Sequence, residues 1–382
     1  MTDPDATVAA STSATSPLAD VADGTRASLA TPKLRSRKDG AAIPLDDLDR
    51  RLLNLMQGSF PLAPRPFQHV AALAEIDEQE TMSRVRRLLD KRIIRQVTPI
   101  FDTRALGYSS MLVAAKVDPE NPHRAAGVIN EHPGVSHNYL RNHDFNLWFT
   151  IATEPDSALG LQGTLDALAS DAGAESLRQL PTLKLFKIRM DLEMEGDTEA
   201  LASSVEAREP IELDPQPYDE HDVAVIRALQ GDMPVVSEPY APAAAAVGLD
   251  QRAFLDHLAG MQERGLLRRV AAILYHRRAG FSANGMGVWQ VPDDQIPAIG
   301  RQMAAVRGIS HCYQRPTYDD WPYSVFTMAH GRSKEQCDAV LDAIAQQTGI
   351  TDRATLYSST EFKKIRLQYF TDEFKLWERR HA

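Results

Sequence analysis

Two short rows of residues carry the chemistry this sequence can offer. His137-x-Tyr139-x-Arg141 and His311-x-Tyr313-x-Arg315 have the alternation that puts every second side chain of a β-strand on one face. Val135 and Ile309 precede the rows at the same spacing. Each row spreads an imidazole, a phenol and a guanidinium over about 14 Å of strand, at about 3.4 Å per residue. Imidazole and phenol groups transfer protons, and a guanidinium grips a carboxylate through two parallel hydrogen bonds. One such row alone would also fit a solvent-facing strand or a paired interface. Its recurrence amid divergent surroundings favours a functional reading.

The flanks of the rows differ. The first continues through Asn142, His143, Asp144 and Phe145 to Trp148, adding a second imidazole near a turn. The second runs into Pro316 and a longer loop carrying Trp321, Pro322 and Tyr323, then reaches His330 and Gly331. The Trp321–Tyr323 cluster fits either the wall of a pocket for a flat ligand or a hydrophobic cap beneath the loop. His330 reads as a structural side chain. Cys312, between His311 and Tyr313, alternates to the opposite face and reads as a buried small residue. The histidines lack zinc-site spacing, and there is no HExxH, P-loop, GxGxxG or GxSxG pattern.

The elements that position these rows come from an internal repeat. Pro44 to Asp49 returns as Pro217 to Asp222, an offset of 173 that also relates Ile94–Val97 to Leu267–Val270 and Gly107-Tyr108 to Gly280-Phe281. The offset becomes 174 at Ser136-His137 against Ser310-His311, and 177 at Phe149-Thr150 against Phe326-Thr327. The copies span 44–195 and 217–372, joined by a linker at 196–216. Residues 1–43, nearly free of aromatic side chains, read as a disordered tail, and 373–382 as a C-terminal extension. Each copy opens with three short helical patterns and a β-rich stretch such as Ile93–Phe101. These give helix-turn-helix units at 44–108 and 217–281. Strand, helix, strand, strand, helix, strand then follow, at 109–195 and 282–372, with the last strand of the first copy expected at Thr182–Leu192. The fold class is therefore α+β, two tandem units of helix-turn-helix plus a βαββαβ ferredoxin-like domain, the Lrp/AsnC arrangement.

Composition narrows the function classes. Among 382 residues, 42 Lys+Arg against 52 Asp+Glu give −10 at pH 7, which disfavours a dedicated nucleic-acid binder. Arg84, Arg86, Arg87, Lys91, Arg92 and Arg95 form a basic stripe in the first copy, where a DNA recognition helix or a solvated face would both fit. The counterpart in the second copy offers Asp256 and His257 and few cations, so DNA binding is not expected. Two cysteines exclude a disulfide scaffold. No apolar run is long enough to span a membrane and no secretory signal core is visible, so a cytoplasmic protein is expected.

With these residues set out, the sequence resembles the siroheme decarboxylases, in their fused NirDL form. The match runs over about 44–372 and is carried by His137-Asn138-Tyr139-Leu140-Arg141-Asn142-His143 with Trp148-Phe149-Thr150, and by His311-Cys312-Tyr313-Gln314-Arg315-Pro316 with Trp321-Pro322-Tyr323. The resemblance implies a carboxy-lyase of heme d1 biosynthesis that converts siroheme to 12,18-didecarboxysiroheme. It implies His137, His143 and His311 as proton-donor, positioning or iron-ligating groups and Arg141 and Arg315 as carboxylate clamps. Tyr139, Trp148, Tyr313, Trp321 and Tyr323 would line the macrocycle. No cofactor is required beyond the iron that belongs to siroheme. Pairing of the two halves, a homodimer and contacts with other heme d1 pathway enzymes are expected. The alternative is an Lrp/AsnC-type transcription regulator sensing a small anionic ligand.

Overall fold

Local capping starts the helical layer identically in both copies. A computed structural model describes residues 45–188, 214–275 and 283–382. Helix α1 (Asp47–Gly58) begins where the Asp46 carboxylate accepts the Asp49 N–H while Asp49 accepts the N–H of Asp46. Asp219 and Asp222 repeat this box before α6 (Glu220–Leu229). Each box satisfies N–H groups that no helical carbonyl reaches. Helices α2 (Pro66–Ala74) and α3 (Glu78–Asp90) complete the first trio, α7 (Ala241–Ala246) and α8 (Gln251–Glu263) the second. Strands β1 (Ile94–Phe101) and β7 (Leu267–Leu274) then pair with each other, across the copies. The two helical units consequently share one core, in which Leu52, Phe67 and Val85 are buried with Val225, Phe254 and Leu258.

The first copy continues β2 (Ser109–Lys116), α4 (Pro122–Asn130), β3 (His137–Arg141), β4 (Leu147–Thr153), α5 (Gly160–Ala172) and β5 (Ser176–Leu180). Its strands lie in the order β5-β2-β4-β3. The second copy has β8 (Ala283–Trp289), α9 (Ile296–Ala305), β9 (Ile309–Gln314), β10 (Val325–Gly331), α10 (Lys334–Thr348) and β11 (Arg353–Lys364), in the matching order β11-β8-β10-β9. The long β11 pairs with β8 through 353–357 and crosses to β3 through 358–364.

The strand expected at Thr182–Leu192 forms over 184–188, but the first copy's own ladder is completed by β5, ahead of the expected segment. β5 stops at Leu180, where Pro181 has no N–H to extend the ladder. A separate strand, β6 (Lys184–Ile188), pairs with β9 of the other copy. Because β5 and β6 occupy opposite edges of the nine-stranded order yet are joined through 181–183, the sheet must curl until its halves face each other. Helices cover the two outer faces, each with its own apolar core. An aromatic interior lies between the halves.

The C-terminal extension is helix α11 (Asp372–His381), which returns to the first copy. Trp377 is buried in that copy's helix-side core, 4.5 Å from the His132 ring, and stacks on His381 at 3.9 Å. The tail 1–43, linker residues 196–213, Gly280-Phe281 and the expected strand end at 189–192 lie outside the described residues. No described helix is long and apolar enough to cross a membrane.

His132 is 1% exposed, and burial, followed by Lys363 and His381, pushes it down to about 3. A histidine held neutral in the fold stabilises fully above its unfolded value near 6.5 and loses that contribution as pH falls toward the folded value. Lowering the pH from 7 to 5 should therefore remove about 2 kcal/mol through this group. Urea unfolding at both pH values checks this, with a smaller pH effect expected in His132→Gln.

Candidate functional site

The polar rows face the space between the two half-sheets. Asn138 turns toward α4, where its Nδ2 donates to Asn130 Oδ1 at 3.0 Å. Its neighbours His137, Tyr139 and Arg141 therefore point to the opposite, inner side. In the second copy a β-bulge interrupts the β9–β10 ladder at Ser310, between the pairs His311–Met328 and Ile309–Ala329. The extra residue resets the alternation. Ile309 and Cys312 both face the helices, while His311, Tyr313 and Arg315 face inward. Ile309 thus leaves the row assigned to it from simple alternation, as does Val135, which lies before β3 begins, and both pack in helix-side cores. Cys312 is buried as expected, its thiol on the Gly300 carbonyl and pushed upward by burial.

The repeat also shifts register. Trp148 lies opposite Tyr139 and Phe326 opposite Tyr313, so Phe326 is the counterpart of Trp148, not of Phe149. Phe149 faces the helices while Phe326 faces inward. An offset of the wrong parity exchanges the faces of a strand, and this corrects the Phe149–Phe326 match.

Two buried guanidinium groups dominate the inner space. Arg141 donates from Nη1 to the Leu356 carbonyl of β11 at 3.1 Å, and Arg315 donates to the Leu180 carbonyl of β5. Each arginine is thus tied to the last strand of the other half. Arg141 lies 5.7 Å from the Tyr139 ring and 5.9 Å from that of Trp148. Arg315 lies 4.8 Å from Tyr313 and 5.4 Å from Phe326. Neither has a carboxylate partner among the described residues, and the Nε of each is buried without a hydrogen bond. Burial pushes both down to about 10, so both remain cations at neutral pH. A buried cation without an anion is costly.

The imidazoles differ in setting. His137 Nδ1 lies 3.0 Å from Ser136 Oγ, which lies 2.8 Å from Thr150 Oγ1. Burial, then Lys364 and Arg95, pushes His137 down to about 4, so it is neutral at pH 7. His311 Nδ1 lies 2.6 Å from Ser310 Oγ, which also bonds His330 Nε2. At the far end of β3, His143 Nδ1 accepts the Phe145 N–H at 3.0 Å, and burial lowers its pKa. His143 and Arg141 open on a cleft of about 350 Å3 lined also by Lys116, Leu140, Asn142 and Ser359. Tyr313 is pushed up to about 12, by burial first, and stays a neutral phenol.

Trp321 lies at the centre of the aromatic interior, fully buried. It contacts His143 at 5.1 Å, Trp148 at 5.2 Å and Tyr323 at 5.0 Å. Trp148 donates its indole N–H to the Phe145 carbonyl at 2.6 Å, whereas the buried Trp321 N–H has no partner. Residues that sequence reasoning passed over hold the Trp321 loop to the first half. Arg178 on β5 grips Asp320 through bonds of 2.8 and 2.6 Å, and Tyr318 donates to the Gln179 carbonyl at 2.6 Å. Ser136, Ser310 and Phe326 were likewise missed, although the two serines stand at equivalent places before each row.

The basic stripe is largely consumed inside the helical units. Arg84 bonds Asp46, Asp49 and Glu80, Arg87 bonds Asp49, Arg86 donates to the Val235 carbonyl and Arg95 to that of Lys364. Asp222, the counterpart of Asp49, takes two bonds from Arg264 at 2.8 and 2.7 Å. Arg84, Arg86 and Arg87 thus brace the helical units, while Arg86, Arg87, Lys91 and Arg92 remain exposed. No cluster of metal-binding side chains occurs among the described residues.

Known proteins share this architecture. The chain matches the AsnC-like ligand binding domain family over 105–187 and 278–363, and the siroheme decarboxylase NirDL-like HTH domain family over 49–95 and 222–268. It is 36% identical to the siroheme decarboxylase of Hydrogenobacter thermophilus over 329 residues, covering 86% of this chain and 96% of that one. It is 40% identical over 146 residues to the siroheme decarboxylase beta subunit of Methanosarcina barkeri, covering 38% of this chain and 96% of the relative. A crystal structure of the siroheme decarboxylase NirDL in complex with an iron-uroporphyrin III analogue superposes with a TM-score of 0.71 at 31% identity. That match covers 88% of this chain and 98% of the other.

Arg178→Ala should free the Trp321 loop from β5. Partly exposed ion pairs contribute little to stability, about 0–1 kcal/mol, so the melting temperature should move by only a few degrees. Tryptophan fluorescence should nevertheless report increased solvent access to the interior, measured as faster quenching by acrylamide than in the parent chain.

Proposed function

The chain belongs to the siroheme decarboxylase NirDL family, and from that membership we propose that it removes the C12 and C18 acetate carboxylates of siroheme as CO2. The product is 12,18-didecarboxysiroheme. The observation that carries this reading is the pair of buried arginines, Arg141 and Arg315, set among aromatic rings with no carboxylate among the described residues to meet them. A flat macrocycle edged with carboxylates supplies what that space lacks: anions for the guanidinium forks and a π-face for the rings.

The bond changes balance without any oxidant. Breaking the carbon–carbon bond of an acetate releases CO2 and leaves an electron pair on the methylene carbon, delocalised into the macrocycle. One proton then completes a methyl group. Apolar, aromatic surroundings favour departure of neutral CO2 over retention of a carboxylate. Arg141 and Arg315 hold carboxylates that do not react, while Tyr139, Tyr313, Trp148, Trp321 and Tyr323 border the ring. His311 and His143 are assigned as proton donors. His137, neutral in the fold, holds or orients the substrate until the approach of an anion raises its proton affinity. The reaction requires no cofactor besides the iron that siroheme brings. The regulator reading gains no support, because the arginines a DNA contact would use are engaged within the helical units.

Anaerobic incubation of the full chain with siroheme, followed by mass analysis, tests the activity. Loss of two carboxyl groups is expected, and unchanged siroheme in the presence of folded protein would contradict it. His311→Ala should lower turnover by about 100-fold or more with siroheme binding retained, read by absorbance titration. Arg315→Ala should instead weaken binding by about 10- to 100-fold, the contribution of a charged hydrogen-bonding group.

A further inference from the structure

The two rows match in residue type but not in what stands behind their histidines. Behind His137 a hydroxyl pair, Ser136 and Thr150, closes the connection with groups that do not ionise near neutral pH. Behind His311 the connection runs from Nδ1 to Ser310 Oγ, to His330 Nε2, and from His330 Nδ1 to Asn284 Oδ1 at 2.7 Å. Ser310 and His330 are buried, at 0% and 5% exposure. An amide oxygen only accepts, so His330 carries its hydrogen at Nδ1 and turns Nε2 to the serine. Ser310 owes its position to the β9 bulge, since regular alternation would turn it away from the inner face.

We infer that Ser310 and His330 form a proton store for His311, so that of the two assigned donors His311 is the one resupplied with a proton inside the closed site. This inference rests on the siroheme decarboxylase reading and adds two positioning residues to it. With the site open, His311 takes a proton from solvent at Nε2. Its Nδ1 proton passes to Ser310 as the serine hydroxyl proton passes to His330 Nε2, leaving the positive charge on the buried imidazole. After CO2 leaves, His311 gives its Nε2 proton to the methylene carbanion and takes the serine proton at Nδ1. Ser310 is replenished from His330 Nε2. One proton enters and one ends in the new methyl group. Two imidazoles sharing that proton through a hydroxyl can hold it where water is excluded, which the hydroxyl-terminated chain behind His137 cannot do.

The test uses the full chain with siroheme under anaerobic conditions, in single turnover. Ser310→Ala and His330→Gln should each lower the rate at which the protonated, decarboxylated product forms by about 10-fold or more while leaving the siroheme dissociation constant within about 2-fold. In mixtures of H2O and D2O the parent rate should fall along a curve, as expected when several protons move together, and Ser310→Ala should give a straight line. A structural role for the serine would slow the reaction without changing the shape of that dependence. Unchanged rates, or equal losses of rate and affinity with a linear dependence in the parent, would overturn the store. If His330→Gln fails to fold, the Ser310→Ala comparison decides. A parent chain that leaves siroheme intact would overturn the underlying activity, whereas an active parent with unaffected variants removes the proton store alone.

Discussion

Each half of this molecule places an arginine under the last strand of the other. Arg141 donates to Leu356, and Arg315 donates to Leu180. These reciprocal bonds sit where β11 crosses to β3 and β6 crosses to β9. Strand exchange closes the sheet, closure creates an interior with two aromatic faces, and that interior strips water from both guanidinium groups. Neither half could do this alone, because the carbonyl that orients each arginine belongs to its neighbour. The cost of burying two cations without protein carboxylates makes sense as preorganisation for an anionic ligand, with the attractive charge already in place before binding.

The same scaffold allows the halves to differ. A common bracing logic, with Asp49 and Asp222 gripping arginines from later helices, keeps the helical units equivalent. The shared β1–β7 ribbon binds those units to each other. With the frame secured, variation concentrates at the row ends. The first half has the compact His143 turn, and the second has the long loop that drives Trp321 into the centre. The histidine environments diverge accordingly, one backed by hydroxyls and one by a second imidazole. Two copies of one fold thus hold their row histidines in unequal settings.

Much of this was legible in the residues, and the parts that were not have physical reasons. Period-two spacing correctly placed His137, Tyr139 and Arg141 on one face, because β3 is regular from its first residue. It misplaced Ile309, since a bulge depends on pairing with a partner strand and leaves no mark in local alternation. Strand β5 was passed over because Ser176–Leu180 is short and carries no clear apolar alternation, so only the strand after Pro181 was foreseen. Helix α11 escaped because its amphipathic signal rests on Phe374 and Trp377 in a strongly charged stretch. Arg178 and Asp320 are far apart in sequence, and nothing short-range signals that they meet. The basic stripe could be read as a DNA surface or a solvated face, and only the fold shows Arg84 and Arg87 bound to carboxylates and Arg86 and Arg95 to carbonyls.

If Arg141 and Arg315 recognise the carboxylates of the substrate, affinity must depend on those charges. Comparing the affinity of the chain for siroheme and for its fully esterified form, by visible absorption titration, tests it most directly. Esterification keeps the iron and the macrocycle but removes every negative charge on the ring substituents. The ester should bind at least about 100-fold more weakly, the combined effect of two charged contacts. Equal affinity for both would contradict it, placing recognition in the iron or the ring and leaving Arg141 and Arg315 without a role in binding.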